Sequence, residues 1–140
     1  GMRVLAWNRT PREAPPGVTF TTLERVLGES HVVSLHLLLN DATRGFLDAA
    51  RIAAMRPGAI LVNTARGALV DEAAMIAALR SGHLRHAALD VFTEEPLPAD
   101  HGLTGLANVT LSAHSAFRTP EASQTLLRRA LDIAARLAER

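Results

Sequence analysis

Short apolar runs that alternate with helix-like segments constrain this chain more than any other feature. RVLAW (3–7), VVSLHL (32–37), AILVN (59–63), AALDV (87–91) and NVTLS (108–112) carry the apolar, β-branched content of strands. Helical patterns separate several of them. Parallel neighbours need a long connection, which a helix supplies, so the alternation predicts an α/β parallel sheet with crossover helices. With 140 residues, 48% of them hydrophobic, the chain supports one domain with a real core.

The helical segments carry their own punctuation. Thr22 caps a short helix to Leu27, and a second runs from Ala49 to Met55, ended by Pro57 and Gly58. DEAAMIAALRSG has Asp71 as its cap and Gly82 as its stop, with Val70, Met75 and Leu79 spaced as core residues. TPEASQTLLRRALDIAARLAER opens with Thr119, Pro120 and an early acid, a strong helix start. Its stripe of Leu127, Leu131, Ala134 and Ala138 is expected to face the core or a partner. VFTEEPLPADHGLTGLA (91–107) has no periodicity and reads as a loop long enough to shape a site.

Composition removes several chemistries. There is no cysteine, so disulfides, thiolate nucleophiles and thiolate metal sites are excluded. All fifteen cations are Arg, which removes Schiff-base and lysine-base catalysis. The pI near 9.2 comes with a formal net charge of only +1. Arg128, Arg129, Arg136 and Arg140 are therefore read as a solvated face or subunit contacts, not as a nucleic-acid surface. His83 and His86 read as turn and strand-entry residues, since HExxH and tight acidic clusters are missing, and no GxSxG elbow accompanies Ser34, Ser112 or Ser115. No apolar segment reaches membrane-spanning length and the opening residues lack a cleavable leader pattern, so a cytoplasmic protein without membrane or metal partners is expected.

Ligands of open parallel sheets bind at the carboxyl ends of strands. Asn8 and Arg9 follow the first run, His36 closes the second, Asn63 and Arg66 follow the third, Asp90 is near the end of the fourth and His114 follows the fifth. A histidine both gives and takes a proton near neutral pH, and a carboxylate such as Glu95 beside it favours its charged form. Arg66 is suited to hold an anion through two parallel hydrogen bonds. Together these residues describe a site for a small acid bearing a carbonyl or hydroxyl group. The competing reading makes His114 a helix neighbour and Arg66 a surface cation.

VVSLHLLL, GAILVNTARGALVDEAAMIAALRSGHL, AALDVFTEEPLP and NVTLSAHSAFRTPEA resemble, in order and spacing, the cofactor-binding domain of the D-isomer-specific 2-hydroxyacid dehydrogenases. The resemblance implies a partial Rossmann-like, doubly wound parallel sheet with a C-terminal helix. It also implies hydride transfer between NAD(P)H and C2 of a 2-keto or 2-hydroxy acid, and a homodimer. By the same resemblance Arg66 binds the substrate carboxylate, Glu95 pairs with the catalytic histidine and His114 is the acid and base. Asp90 holds the nicotinamide carboxamide, Ala65 with Arg66 walls the ring, and His36 lies beneath the cofactor. Glu94 is expected to be a solvated loop acid.

Asn8, followed by Arg9, Thr10, Pro11 and Arg12, stands where NAD-using members carry an acid. A neutral amide with an arginine beside it favours NADP(H) over NAD(H). The chain contains no GxGxxG turn, so it is expected to represent residues 1–140 of a domain lacking that half and the substrate domain, and to turn over little by itself. Leu38 stands where relatives commonly have proline, and His31 replaces a commonly acidic residue. Phe117 and Arg118 are expected to pack the last helix and not to narrow the substrate pocket. Two other classes compete: a catalytically silent dinucleotide-binding or corepressor-like module, and a structural or oligomerising fragment.

Overall fold

The computed structural model describes residues 1–10 and 12–138. Six strands form two parallel sheets. β1 (Val4–Ala6) pairs with β2 (Val18–Phe20), and β3 (Val32–Leu35), β4 (Ala59–Asn63), β5 (Leu84–Leu89) and β6 (Val109–Leu111) follow one another across a second sheet. Within each sheet all carboxyl ends therefore share an edge. The ring of Trp7, just past β1, stacks on Phe46 at a centroid distance of 5.3 Å, which joins the smaller sheet to the loop after β3.

β4 lies inside its sheet and shows why its span was readable. Ala59, Leu61 and Asn63 are buried while Ile60 and Val62 are half-buried, so both faces are apolar. α1 (Leu23–Glu29) precedes β3, α2 (Ala49–Ala53) connects β3 to β4, and α3 (Glu72–Ser81) connects β4 to β5. The predicted caps form: Thr22 Oγ1 accepts from Arg25 N, Asp71 Oδ1 accepts from Ala74 N at 3.0 Å, and Gly82 ends α3 at φ 77°. Val70, Met75 and Leu79 are all buried, as their spacing predicts. The core gathers these with Leu61, Leu69 and Leu84, and with Leu47 and Leu103 from loops.

Several boundaries differ from the sequence reading. β2 is an additional strand, short and with only a half-buried pattern. β5 starts at Leu84 and stops at Leu89, earlier than the 87–91 expectation; the polar residues Arg85, exposed, and His86, half-buried, conceal its start. Asp90 and Val91 thereby fall just beyond the strand end. β3 stops at Leu35, leaving His36 in the following loop.

The last helix, α4 (Pro120–Ala138), starts where predicted, with Thr119 Oγ1 accepting from Ala122 N at 3.1 Å. It buries none of its residues, so Leu127, Leu131, Ala134 and Ala138 do not face this chain's core. Phe117 is 59% exposed, with the Arg118 guanidinium 5.9 Å from its ring centroid. That overturns the expectation that it packs the last helix: the helix leaves the body of the fold and offers the ring nothing to cover. Arg128, Arg129 and Arg136 are exposed, while Arg140 and Pro11 lie outside the described residues.

Candidate active site

The carboxyl edge of the larger sheet brings together three of the predicted side chains. Glu95, on the loop after β5, and His114, after β6, meet with His114 Nδ1 2.7 Å from Glu95 Oε2. A carboxylate accepts only, so Nδ1 carries the hydrogen and donates it, leaving Nε2 for chemistry. The other carboxylate oxygen, Glu95 Oε1, accepts from the Phe92 backbone N–H at 3.0 Å. The bond to His114, followed by the Phe92 N–H, holds the Glu95 carboxyl below its ordinary value; partial desolvation opposes them, and the charges of His114 and Arg66 add to the lowering.

Asp90 fixes the backbone that presents the imidazole. Its Oδ1 accepts from Ser112 Oγ at 2.6 Å and from Ser115 N at 2.8 Å, and its Oδ2 accepts from Ala116 N at 2.9 Å. These bonds span the turn in which His114 adopts φ 49°, a left-handed conformation that costs a side-chain-bearing residue free energy. Burial, at 4% exposure, pushes the Asp90 carboxyl up, but the Ser112, Ala116 and Ser115 hydrogen bonds and the nearby His114 outweigh it, and the net direction is down.

Arg66 sits at the turn between β4 and α3. Its Nη1 donates to the Ala65 carbonyl at 2.6 Å, and among the described residues no carboxylate lies within ion-pair distance of it. The side chain is exposed on the same edge, close enough for its charge to reach Glu95. Buried Asn63 shapes the turn from within: its Oδ1 accepts from Ala65 N at 3.0 Å and its Nδ2 donates to the Arg66 carbonyl at 2.9 Å. Glu94 is exposed beside Glu95. A cavity of about 670 Å³ adjoins the pair, lined by Phe92, Glu95, Pro96, Leu97, Leu111 and His114 among others.

The remaining predicted residues lie elsewhere on the carboxyl edges. Asn8, Arg9 and Thr10 form the turn after β1, where Asn8 Nδ2 donates to the Thr10 carbonyl at 2.8 Å. Asn8 lines a second cavity of about 580 Å³ with Trp7, Arg12, Phe20 and Glu24. His36 Nε2 lies 2.9 Å from Ser34 Oγ. His83 and His86 engage the Ile52 carbonyl and Thr110 Oγ1, and no group of three potential metal-binding side chains occurs among the described residues.

The model of the D-isomer specific 2-hydroxyacid dehydrogenase NAD-binding domain matches residues 1–116. The chain belongs to this family. It is 44% identical over 124 residues to a glyoxylate reductase of Aeropyrum pernix, covering 86% of this chain and 37% of that protein. A family member from Xanthobacter autotrophicus Py2, solved with NADPH and MES, matches with TM-score 0.78 and 45% identity, covering 81% of this chain and 37% of that one. The NAD-complexed enzyme from Lactobacillus delbrueckii ssp. bulgaricus matches with TM-score 0.86 and 30% identity over 98% of this chain and 46% of that one. The chain thus spans less than half the length of these relatives, and family members are found with either cofactor.

Proposed function

We propose that the protein containing this chain transfers hydride between NADPH and C2 of a 2-keto or 2-hydroxy acid, with glyoxylate or hydroxypyruvate as the reduced substrate. The observation that carries the reading is the His114–Glu95 bond of 2.7 Å with Arg66, which makes no ion pair among the described residues, exposed on the same edge. Arg66 holds the substrate carboxylate through two parallel hydrogen bonds. His114, charged and held by Glu95, donates from Nε2 to the C2 oxygen as it becomes an alkoxide, and takes the proton back in the reverse direction. Bound NADPH supplies the hydride.

The residues present fit such a cofactor. Among the described residues Asn8 Oδ1 accepts no hydrogen bond and is placed to accept from a ribose hydroxyl, no carboxylate occurs in the Asn8–Thr10 turn, and Arg9 and Arg12 supply positive charge for a 2′-phosphate. Glu24 lines the same cavity, its carboxyl held below its ordinary value first by a backbone hydrogen bond and then by Thr22. Ala65 and His36 flank the nicotinamide side, and Asp90 retains a lone pair on Oδ2 for its carboxamide while holding the His114 turn. Residues 1–140 are, in this reading, part of a nicotinamide-dinucleotide domain of a cytoplasmic homodimer. In the same reading the glycine-rich turn and the substrate domain lie outside residues 1–140.

Absorbance at 340 nm tests this. The protein extended to its relatives' length should oxidise NADPH with glyoxylate or hydroxypyruvate, and more slowly with NADH, whereas the 140-residue chain alone should show little turnover. Loss of no absorbance with any 2-keto acid would refute the reading.

A further inference from the structure

Arg66 and the Glu95–His114 pair belong to two segments that meet backbone against backbone. Gly67 opens the 3-10 turn Gly67–Leu69 directly after Arg66, and a Cβ built on it would overlap the Phe92 carbonyl group and the Thr93 amide nitrogen. These are main-chain atoms, so no side-chain rotation relieves the overlap. Any residue larger than glycine must move one segment or the other. The conformation itself does not call for glycine here, since position 67 lies outside the left-handed region that Gly82 occupies at φ 77°. Close approach does.

The strip that Gly67 touches is the strip that holds Glu95. Phe92 N donates to Glu95 Oε1 at 3.0 Å, one residue position from the contacted peptide group. On its other side the Arg66 turn is tied down by Asn63, which is 1% exposed and bonds both the Ala65 N–H and the Arg66 carbonyl. The Arg66 carbonyl also accepts from Leu69 N at 3.3 Å. The turn therefore has a fixed floor and rests against Phe92 and Thr93 at its side.

We infer that Gly67 is a positioning residue that sets the anion-binding guanidinium of Arg66 against the proton-transfer pair Glu95–His114. Its catalytic meaning rests on the function proposed above; the contact itself does not. A methyl group at 67 displaces the Phe92–Thr93 peptide, disturbs the Phe92 N–H bond to Glu95, and through it turns the Glu95 carboxylate away from His114 Nδ1.

The tautomer of His114 reads this without cofactor or substrate. Long-range 1H–15N spectra of the 140-residue chain, recorded near pH ~8.5 where an ordinary imidazole is neutral, should show hydrogen on Nδ1 in the wild type. The Glu95→Ala control should lose that preference, and Gly67→Ala should move most of the way towards the control. If Gly67→Ala does not fold, Asn63→Ser, which frees the turn and leaves the glycine, should move in the same direction. A wild-type tautomer in the folded variant overturns the inference. In the full-length protein Gly67→Ala should lower kcat/KM for glyoxylate at least tenfold. A full-length wild type that reduces no 2-keto acid defeats the proposed function, while the tautomer shift still decides the role of Gly67; an active wild type whose kcat/KM survives Gly67→Ala overturns the positioning role.

Discussion

His114 holds a left-handed backbone because three bonds from one buried carboxylate compensate it. Asp90→Asn replaces an acceptor by a donor opposite either the Ala116 N–H or the Ser112 and Ser115 pair, and should cost about 1–3 kcal/mol. Urea unfolding measures it; an unchanged midpoint would mean the turn holds itself. Glu95 makes a second prediction, about acid. Its folded carboxyl lies below the ordinary value of 4.5, so the unfolded chain takes up the proton first as pH falls. Its contribution is therefore complete above about pH 4.5 and lost as pH drops through the depressed folded value. Glu95→Ala should accordingly lose less stability than the wild type between pH 7 and pH 3, as urea midpoints at each pH will show. The placing of Arg66, Glu95 and His114 on one edge was legible because each follows the end of an apolar, strand-like run. The clamp by Asp90 was not, since its partners lie 22 to 26 residues along the chain and include main-chain N–H groups that no side-chain pattern displays.

Elements were readable where local physics suffices. α3 has a cap, a stop and an apolar spacing that agree, so its ends fell where expected. Asp71→Ala removes the bond to Ala74 N and should cost about 1 kcal/mol, and Gly82→Ala should cost a similar amount, roughly 1 kcal/mol, by forcing Cβ into the left-handed region. Thermal or urea midpoints of the two variants check both values. β2 escaped notice because VTF is too short to show alternation. Leu47 and Leu103 escaped because they belong to loops: Leu47 is drawn in by an isolated parallel bridge to Val70, and Leu103 follows His101, whose Nε2 lies 3.0 Å from Glu72 Oε1 and ties the loop to α3. Long-range ties of this kind leave no local period.

At the scale of the whole molecule, the active edge and the last helix are nearly independent. α4 exposes Leu126, Leu127, Leu131, Ile133 and Leu137, between 60% and 70% each, and buries nothing. An exposed apolar face of this kind favours association in water. Light scattering of the 140-residue chain should show concentration-dependent assembly that Leu127→Glu with Leu131→Glu reduces, while the unfolding midpoint stays within about 0.5 kcal/mol of wild type. The sequence revealed the stripe and left it facing the core or a partner; the absence of buried residues in α4 removes the first alternative.

The role proposed for His114 is to move the proton. Its most direct measurement is the turnover of the full-length protein and its His114→Gln variant with glyoxylate and NADPH, followed at 340 nm across saturating cofactor. Loss of an acid and base should lower kcat by about 100- to 10,000-fold while leaving the KM for NADPH near its wild-type value. A variant that keeps a wild-type kcat would contradict the account.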